Sequence, residues 1–498
     1  MKRHVLLAVG LIQDLLIGGV LFGWSALQLI LLREGMYSDR CSSAERVDAR
    51  GLDEADFVCN EQELAVALLF TVGSFTATCS SIVMGVVLDR LGPKICSTSG
   101  ALLAAAGALL VALTTDGTDM MLPGVFLIAL GGPGLHISLF QISNLYPGNE
   151  SKVTSAFAGI FGSSTIVFVI FNAIHAASDG SVTRRDLFFA YAAIIMLVAV
   201  SSLILWPMRP YEKPEVTVVM DGDTSLLTND DGGSSTSSSE AASSEAASSS
   251  TSTSPSSGSS SASLSSSGSA TMLYSVSASA AVKTTDDDDD GAESASESLP
   301  PTFISQVRTR MYAYVALFMC VHVLRNTVFF GTINSQVDAK VGDAGPYIAA
   351  YGIILPLSVV CVPLIGWAMD KYGTDVGMML TNGVSIIYSL ALLLPWLEAQ
   401  PITFLAFSVA NQFLFATFFS AIAREFGFVN YGRIAGTTTL LAAILGLLIY
   451  PINALAIGPL ERTWWPINLA LLIALLPFAA WNLVRVWRGW RAAKQAVA

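Results

Sequence analysis

"GVVLDRLGPK" runs from Gly85 to Lys94, and "GWAMDKYGTD" runs from Gly366 to Asp375. Both keep one order: glycine, three residues, aspartate, a base, one residue, glycine. Each lies between two apolar runs. Gly85 and Gly366 let a neighbouring helix come close. Gly92 and Gly373 allow a tight turn. Asp89, Arg90, Lys94, Asp370 and Lys371 cannot enter hydrocarbon, so they fix the rim of whatever they join. An acid there can also face the positive N-terminal end of another helix. One charged turn is weak information. The same turn at the same place in two halves of a chain implies an internal repeat.

The surrounding composition identifies the medium. Of 498 residues 53% are hydrophobic and 13% charged, and mean hydropathy is +0.60. Soluble domains carry about 25% charged residues. An apolar run of roughly 20 residues spans a bilayer, and such runs fall near 5–32, 63–88, 95–115, 121–145, 153–176 and 187–207. Six more fall near 308–333, 347–369, 376–396, 401–423, 434–456 and 465–487. The start, "MKRHVLLAVG", has the look of a signal peptide. Its apolar run continues to Leu32, beyond a signal core, so it reads as the first span, uncleaved. The expected fold is all-α: residues 1–207 form a six-helix bundle, 208–307 a linker, and 308–498 a second six-helix bundle.

The net charge of −12 belongs to the linker, where 15 acidic residues face 3 basic ones. It says nothing of nucleic acid or metal partners. The linker is rich in serine and carries Asp286 to Asp290. Such sequence cannot bury a core and is expected to be disordered; a plain tether and a phosphorylated regulatory segment are the two readings. Lysine and arginine counts set orientation. With the N-terminus in the cytoplasm, inner segments hold 17 basic residues, outer loops 8, and Arg325 sits in a span. Both termini and the linker are therefore expected on the cytoplasmic side. Cys41 and Cys59 fall in the first outer loop, where oxidising surroundings favour a disulfide; free thiols are the alternative. The sequon at Asn149 falls on the cytoplasmic side and is expected to be unmodified.

The repeated turn resembles the signature of the major facilitator superfamily. "LFGWSALQLILLREGMYSDRC" (Leu21 to Cys41), "FTVGSFTATCSSIVMGVVLDRLGPK" (Phe70 to Lys94) and "LRNTVFFGTIN" (Leu324 to Asn334) resemble solute carrier family 43 more closely. The resemblance covers both halves and stops at the linker. It implies the major facilitator fold, twelve transmembrane helices in two bundles rocking about a midplane site. It also implies a facilitative, sodium-independent carrier of large neutral amino acids, or a purine-nucleobase carrier. A non-transporting solute sensor is a rival from another class. The expected membrane is the cell surface, with a vacuolar membrane as alternative.

In that fold helices one, four, seven and ten line the cavity. They offer Gln13, Asp14, Trp24, Ser25 and Gln28; His136, Ser138 and Gln141; His322, Arg325 and Asn326; and Asn411 and Gln412. Span five adds Ser163, Ser164, Thr165 and Asn172. Each Ser, Thr or amide can instead be a packing residue, and Trp24 an interface anchor. Buried charge is expensive and usually paired, which singles out Asp14 and Arg325. Their depths differ by about 7 Å at 1.5 Å per residue. Either they form a buried pair, or Arg325 takes a substrate carboxylate while Gln13 or Asp14 takes the amino group. In the amino-acid carriers an acid followed by an amide occupies the places of Gln13 and Asp14. Here the acid stands one place later, about 100° around a helix. No phosphate loop, metal cluster or activated nucleophile is present. No enzyme activity, cofactor or nucleic-acid partner is expected, and the partners foreseen are a small-molecule substrate and the bilayer, with the protein a monomer.

Overall fold

The computed structural model describes residues 3–42, 58–115, 117–147, 150–211, 302–340, 344–427 and 430–497. Most of the expected linker and Asn149 lie outside them. In lipid every backbone polar group must be satisfied within the chain, so apolar runs become helices. The first half contains α1 (Arg3–Ile17), α2 (Trp24–Arg33), α3 (Asn60–Leu113), α4 (Met121–Leu139), α5 (Glu150–Ser163), α6 (Ile166–Ala177) and α7 (Arg184–Leu205). The second contains α8 (Phe303–Val307), α9 (Arg310–Asp338), α10 (Gly345–Leu357), α11 (Val362–Tyr372), α12 (Thr374–Leu393), α13 (Gln400–Phe426), α14 (Tyr431–Gly446), α15 (Ile449–Ile457), α16 (Trp465–Ile473) and α17 (Leu476–Val497).

Among the described residues nine helices are long and apolar enough to cross a membrane, or ten if α1 and α2, bent by 48°, count as one. The helix α3 holds two of the expected spans, divided at Gly92. The span expected at 347–369 is divided, because a 3-10 turn at Ser358–Cys361, just after Pro356, separates α10 from α11. Each expected span thus has a helical counterpart. Short α8 packs with the second half, where the Gln306 amide donates to the Phe426 carbonyl at 2.8 Å.

The repeated turn has one backbone geometry in both halves. Gly92 has φ 83° and ψ 171°, and Gly373 has φ 88° and ψ 169°. Few L residues accept such a φ. The backbone N–H of Lys94 donates to the Pro207 carbonyl, so the turn packs on the end of the first bundle. Asp89 and Arg90 are exposed at this rim. Lys371 lies 5.1 Å from the rings of both Trp367 and Tyr372. Gly366 and Asp370 lie on α11, and their surroundings fall outside what is described.

The opposite end carries the Cys41–Cys59 disulfide. Here the halves are tied together. Arg462 meets the Glu63 carboxylate at 2.7 Å and the Asn60 side chain at 3.3 Å. Asn334 donates to the Ser25 carbonyl at 2.7 Å and to Gln28 at 3.2 Å. Tyr37 donates to Asp119 at 3.0 Å. Burial and then the Asp119 carboxylate push its phenol above the usual range.

Candidate substrate site

The first span is broken in its middle, and the fifth, helical over Ala156–Ala177, has a turn at Ser164 and Thr165. Non-helical backbone at membrane depth survives only where protein or a cavity covers it, and carriers build sites at such breaks. The stretch Gly18–Gly23 separates α1 from α2, and Ser164 and Thr165 separate α5 from α6. The break and the turn pack on each other. The Gly19 N–H donates to Ser164 Oγ at 2.8 Å, and a Cβ on Gly23 would lie 2.6 Å from the Thr165 carbonyl.

Asp14 lies one turn before this break and is fully buried. His136 Nδ1 lies 2.8 Å from its Oδ2 and 3.1 Å from its Oδ1. The imidazole is packed between Phe140 and Phe161, at 4.8 and 4.4 Å between centroids. Gly18 makes room for the carboxylate: a Cβ there would collide with Asp14 Oδ1. Gln13 turns away. Its amide donates to Ser201 at 2.8 Å and accepts from the Trp206 indole at 3.0 Å. Trp24 is wholly buried against Phe70, so it anchors no interface, and its indole N–H has no partner. Both polar atoms of the Gln141 amide are buried and unpartnered. Asn172 accepts from Arg33 near the disulfide end.

The second half has a matching couple. The Asn326 amide on α9 donates to Asn411 Oδ1 on α13 at 2.9 Å, as Asp14 on span one meets His136 on span four. The preceding residues match as well. Arg325, like Gln13, turns to the other helices of its own bundle. Its guanidinium donates to Ser389 Oγ, reaches the Ser385 carbonyl at 3.4 Å, and lies 4.6 Å from the Tyr388 ring. Its Nε and Nη1 atoms are buried and unpartnered. Among the described residues no carboxylate is within ion-pair reach of it. Beside it is a cavity about one water in size, lined also by Gln336, Tyr388, Ser389 and Asn468. His322, one turn away, meets Ser385 at 3.3 Å, and its Nε2 is unpartnered.

Of the two readings of these charges, the buried Arg325–Asp14 pair is not formed; each charge is held within its own half. Depth along two helices fixes how far apart two residues stand, but not which way their side chains point. Sequence reasoning also missed Ser385, Tyr388 and Ser389, which reach Arg325 from the ninth span. Their spacing on one face, four residues from first to last, was the available signal.

Between the couples runs a seam of phenyl rings. Phe161 lies 6.0 Å from Phe22, Phe22 lies 5.5 Å from Phe330 across the halves, and Phe330 lies 5.0 Å from Phe407. The seam has a carboxylate behind one side and, behind the other, a guanidinium with no carboxylate near it among the described residues. Among the described residues no group of three His, Cys, Asp or Glu gathers to hold a metal.

The family model for the Major Facilitator Superfamily matches residues 60–451. "Large neutral amino acids transporter small subunit 3" of Homo sapiens is 22% identical over 541 residues, spanning 96% of this chain and 92% of the relative. "Equilibrative nucleobase transporter 1" of Bos taurus is 24% identical over 507 residues, spanning 96% and 94%. A solved structure, "Crystal structure of auto inhibited POT family peptide transporter", superposes with a TM-score of 0.56 at 11% identity, covering 98% of this chain and 96% of that one. That last likeness is one of fold alone.

Proposed function

The chain belongs to the Major Facilitator Superfamily and is a multi-pass membrane transporter, and we propose that it carries large neutral amino acids by sodium-independent facilitated diffusion. The two halves rock so that one midplane site opens to each side in turn. The membrane is that of the cell surface, both termini are cytoplasmic, and the protein works as a monomer. The orientation rests on the lysine and arginine counts.

One observation carries the substrate class. The half-sites have opposite polarity, with the Asp14 carboxylate behind the first and the Arg325 guanidinium, which has no counter-ion among the described residues, behind the second. A zwitterion needs this arrangement, and the phenyl seam suits an apolar side chain. The human relative's name agrees.

A neutral purine base is the second reading. The bovine relative's name favours it, as do the free Gln141 amide and the flat rings of Phe22 and Phe161, which would meet a base's edge and face.

Uptake into proteoliposomes separates these readings. Labelled leucine or phenylalanine should enter without sodium and compete with each other. Arg325→Lys keeps the charge, loses the planar donor set, and should raise the half-saturation concentration. Uptake of adenine or guanine with no response to leucine would select the purine reading. Ligand binding with no flux of either class would make the protein a sensor.

A further inference from the structure

Tyr388 connects the buried arginine to the amide couple. Its ring lies 4.6 Å from the Arg325 guanidinium, and its hydroxyl donates to Asn326 Oδ1 at 3.4 Å. Phe329 and Phe407 hold the ring at 5.8 and 5.5 Å. A cation on one side of a phenol orients the O–H dipole away from it, here toward Asn326. With Oδ1 of Asn326 accepting from Tyr388, its Nδ2 is the end left to donate to Asn411 Oδ1. That consumes the acceptor end of Asn411 and leaves its two N–H donors for another group. Unlike Asn326, Asn411 is partly accessible. Its neighbour Gln412 reaches the other half, where a Cβ on Gly162 would lie 2.5 Å from Gln412 Nε2. This turn of α13 therefore sits on the seam between the halves.

We propose that the Asn411 amide is the donor that receives the substrate carboxylate, and that Tyr388 is a positioning residue that fixes the direction of that amide through Asn326. The proposal rests on the amino-acid reading above and deepens it. Arg325 then supplies field and orientation from behind the couple rather than direct contact. A ligand with a neutral group in place of its carboxylate is held more weakly, because the N–H end of Asn411 then loses its charged acceptor.

The test compares leucine with leucinol, in which a hydroxymethyl group replaces the carboxylate. Asn411→Asp puts an anionic acceptor where the donors were, which repels a carboxylate and accepts from a neutral hydroxyl. It should raise the half-saturation concentration for leucine about 10- to 100-fold, the value of a hydrogen bond to a charged group, and turn leucinol from a poor competitor into a good one. Tyr388→Phe removes one neutral hydrogen bond and should raise leucine half-saturation about fivefold with maximal rate retained. A merely structural Asn411 would lower uptake of every ligand together and produce no leucinol preference. If Asn411→Asp does not reach the membrane, Asn411→Ser serves instead: leucine affinity should fall with no gain for leucinol. Wild-type leucine affinity in either Asn411 variant, at matched protein levels, overturns the inference while leaving the amino-acid reading intact. If the unaltered protein takes up no amino acid, both fall together.

Discussion

Removing the Arg462 charge should open the disulfide end of the molecule. Arg462 binds Glu63 across the two halves at 2.7 Å; the arginine side chain is 39% exposed and the glutamate 7%. A fully exposed pair is worth at most about 1 kcal/mol. Stranding a fully buried partner costs about 3 to 5 kcal/mol. With one partner wet and the other buried, Arg462→Gln should weaken the closed form by about 1 to 2 kcal/mol, roughly 5- to 30-fold in the closed-to-open ratio. The Asn60 contact, at 3.3 Å, is lost with it. Spin labels at Met120 and Trp396 would report the change. Both are exposed, one in each half, in the connections after α3 and α12. The free cysteines Cys79, Cys96, Cys320 and Cys361 would first be replaced. Pulsed electron resonance should show the longer-distance population rising in Arg462→Gln, and falling back in the swapped pair Glu63→Arg with Arg462→Glu. Unchanged distance distributions in Arg462→Gln would refute the reasoning, since the pair would then be a surface ornament and not a closure.

Gly18→Ala should lower leucine uptake without unfolding the protein, because the new methyl would collide with Asp14 Oδ1 and displace the carboxylate from His136. Gly383→Ala, with nothing within 4 Å of its Cβ, is the control and should behave as wild type. Cutting the Cys41–Cys59 bond, which joins positions 18 apart in sequence, should remove about 3 kcal/mol by the chain-entropy relation. A Cys41→Ser variant as heat-resistant as the parent in detergent would argue against that value.

The apolar runs and the repeated turn made the architecture legible. So did the position of the two outer-loop cysteines, which the disulfide joins. Other features depend on information a linear reading does not hold. The run "GGVLFG" from Gly18 to Gly23 lies inside an apolar stretch long enough for one helix, and its 48° break becomes visible only in the fold, where Gly19 packs on Ser164. Asp14 and Arg325 were both recognisable as costly buried charges. Their partners were not, because a 100° step per residue decides whether a side chain faces the opposite half or its own bundle. Gln13 shows the same effect: it is next to Asp14 in sequence, yet it serves Ser201 and Trp206.

The two couples, Asp14 with His136 and Asn326 with Asn411, occupy corresponding places in a chain whose halves repeat each other. Their chemistry does not repeat. A carboxylate and an imidazole stand on one side, and two amides backed by a cation stand on the other. A scaffold with two equivalent halves would hold a ligand equally well in either of two poses related by a half-turn. On the amino-acid reading the unequal couples favour one pose, so the cargo would keep one heading through the cycle: its amino group toward the first bundle, its carboxylate toward the second. Exchanging the couples between the halves would reverse that heading and leave the backbone as it is.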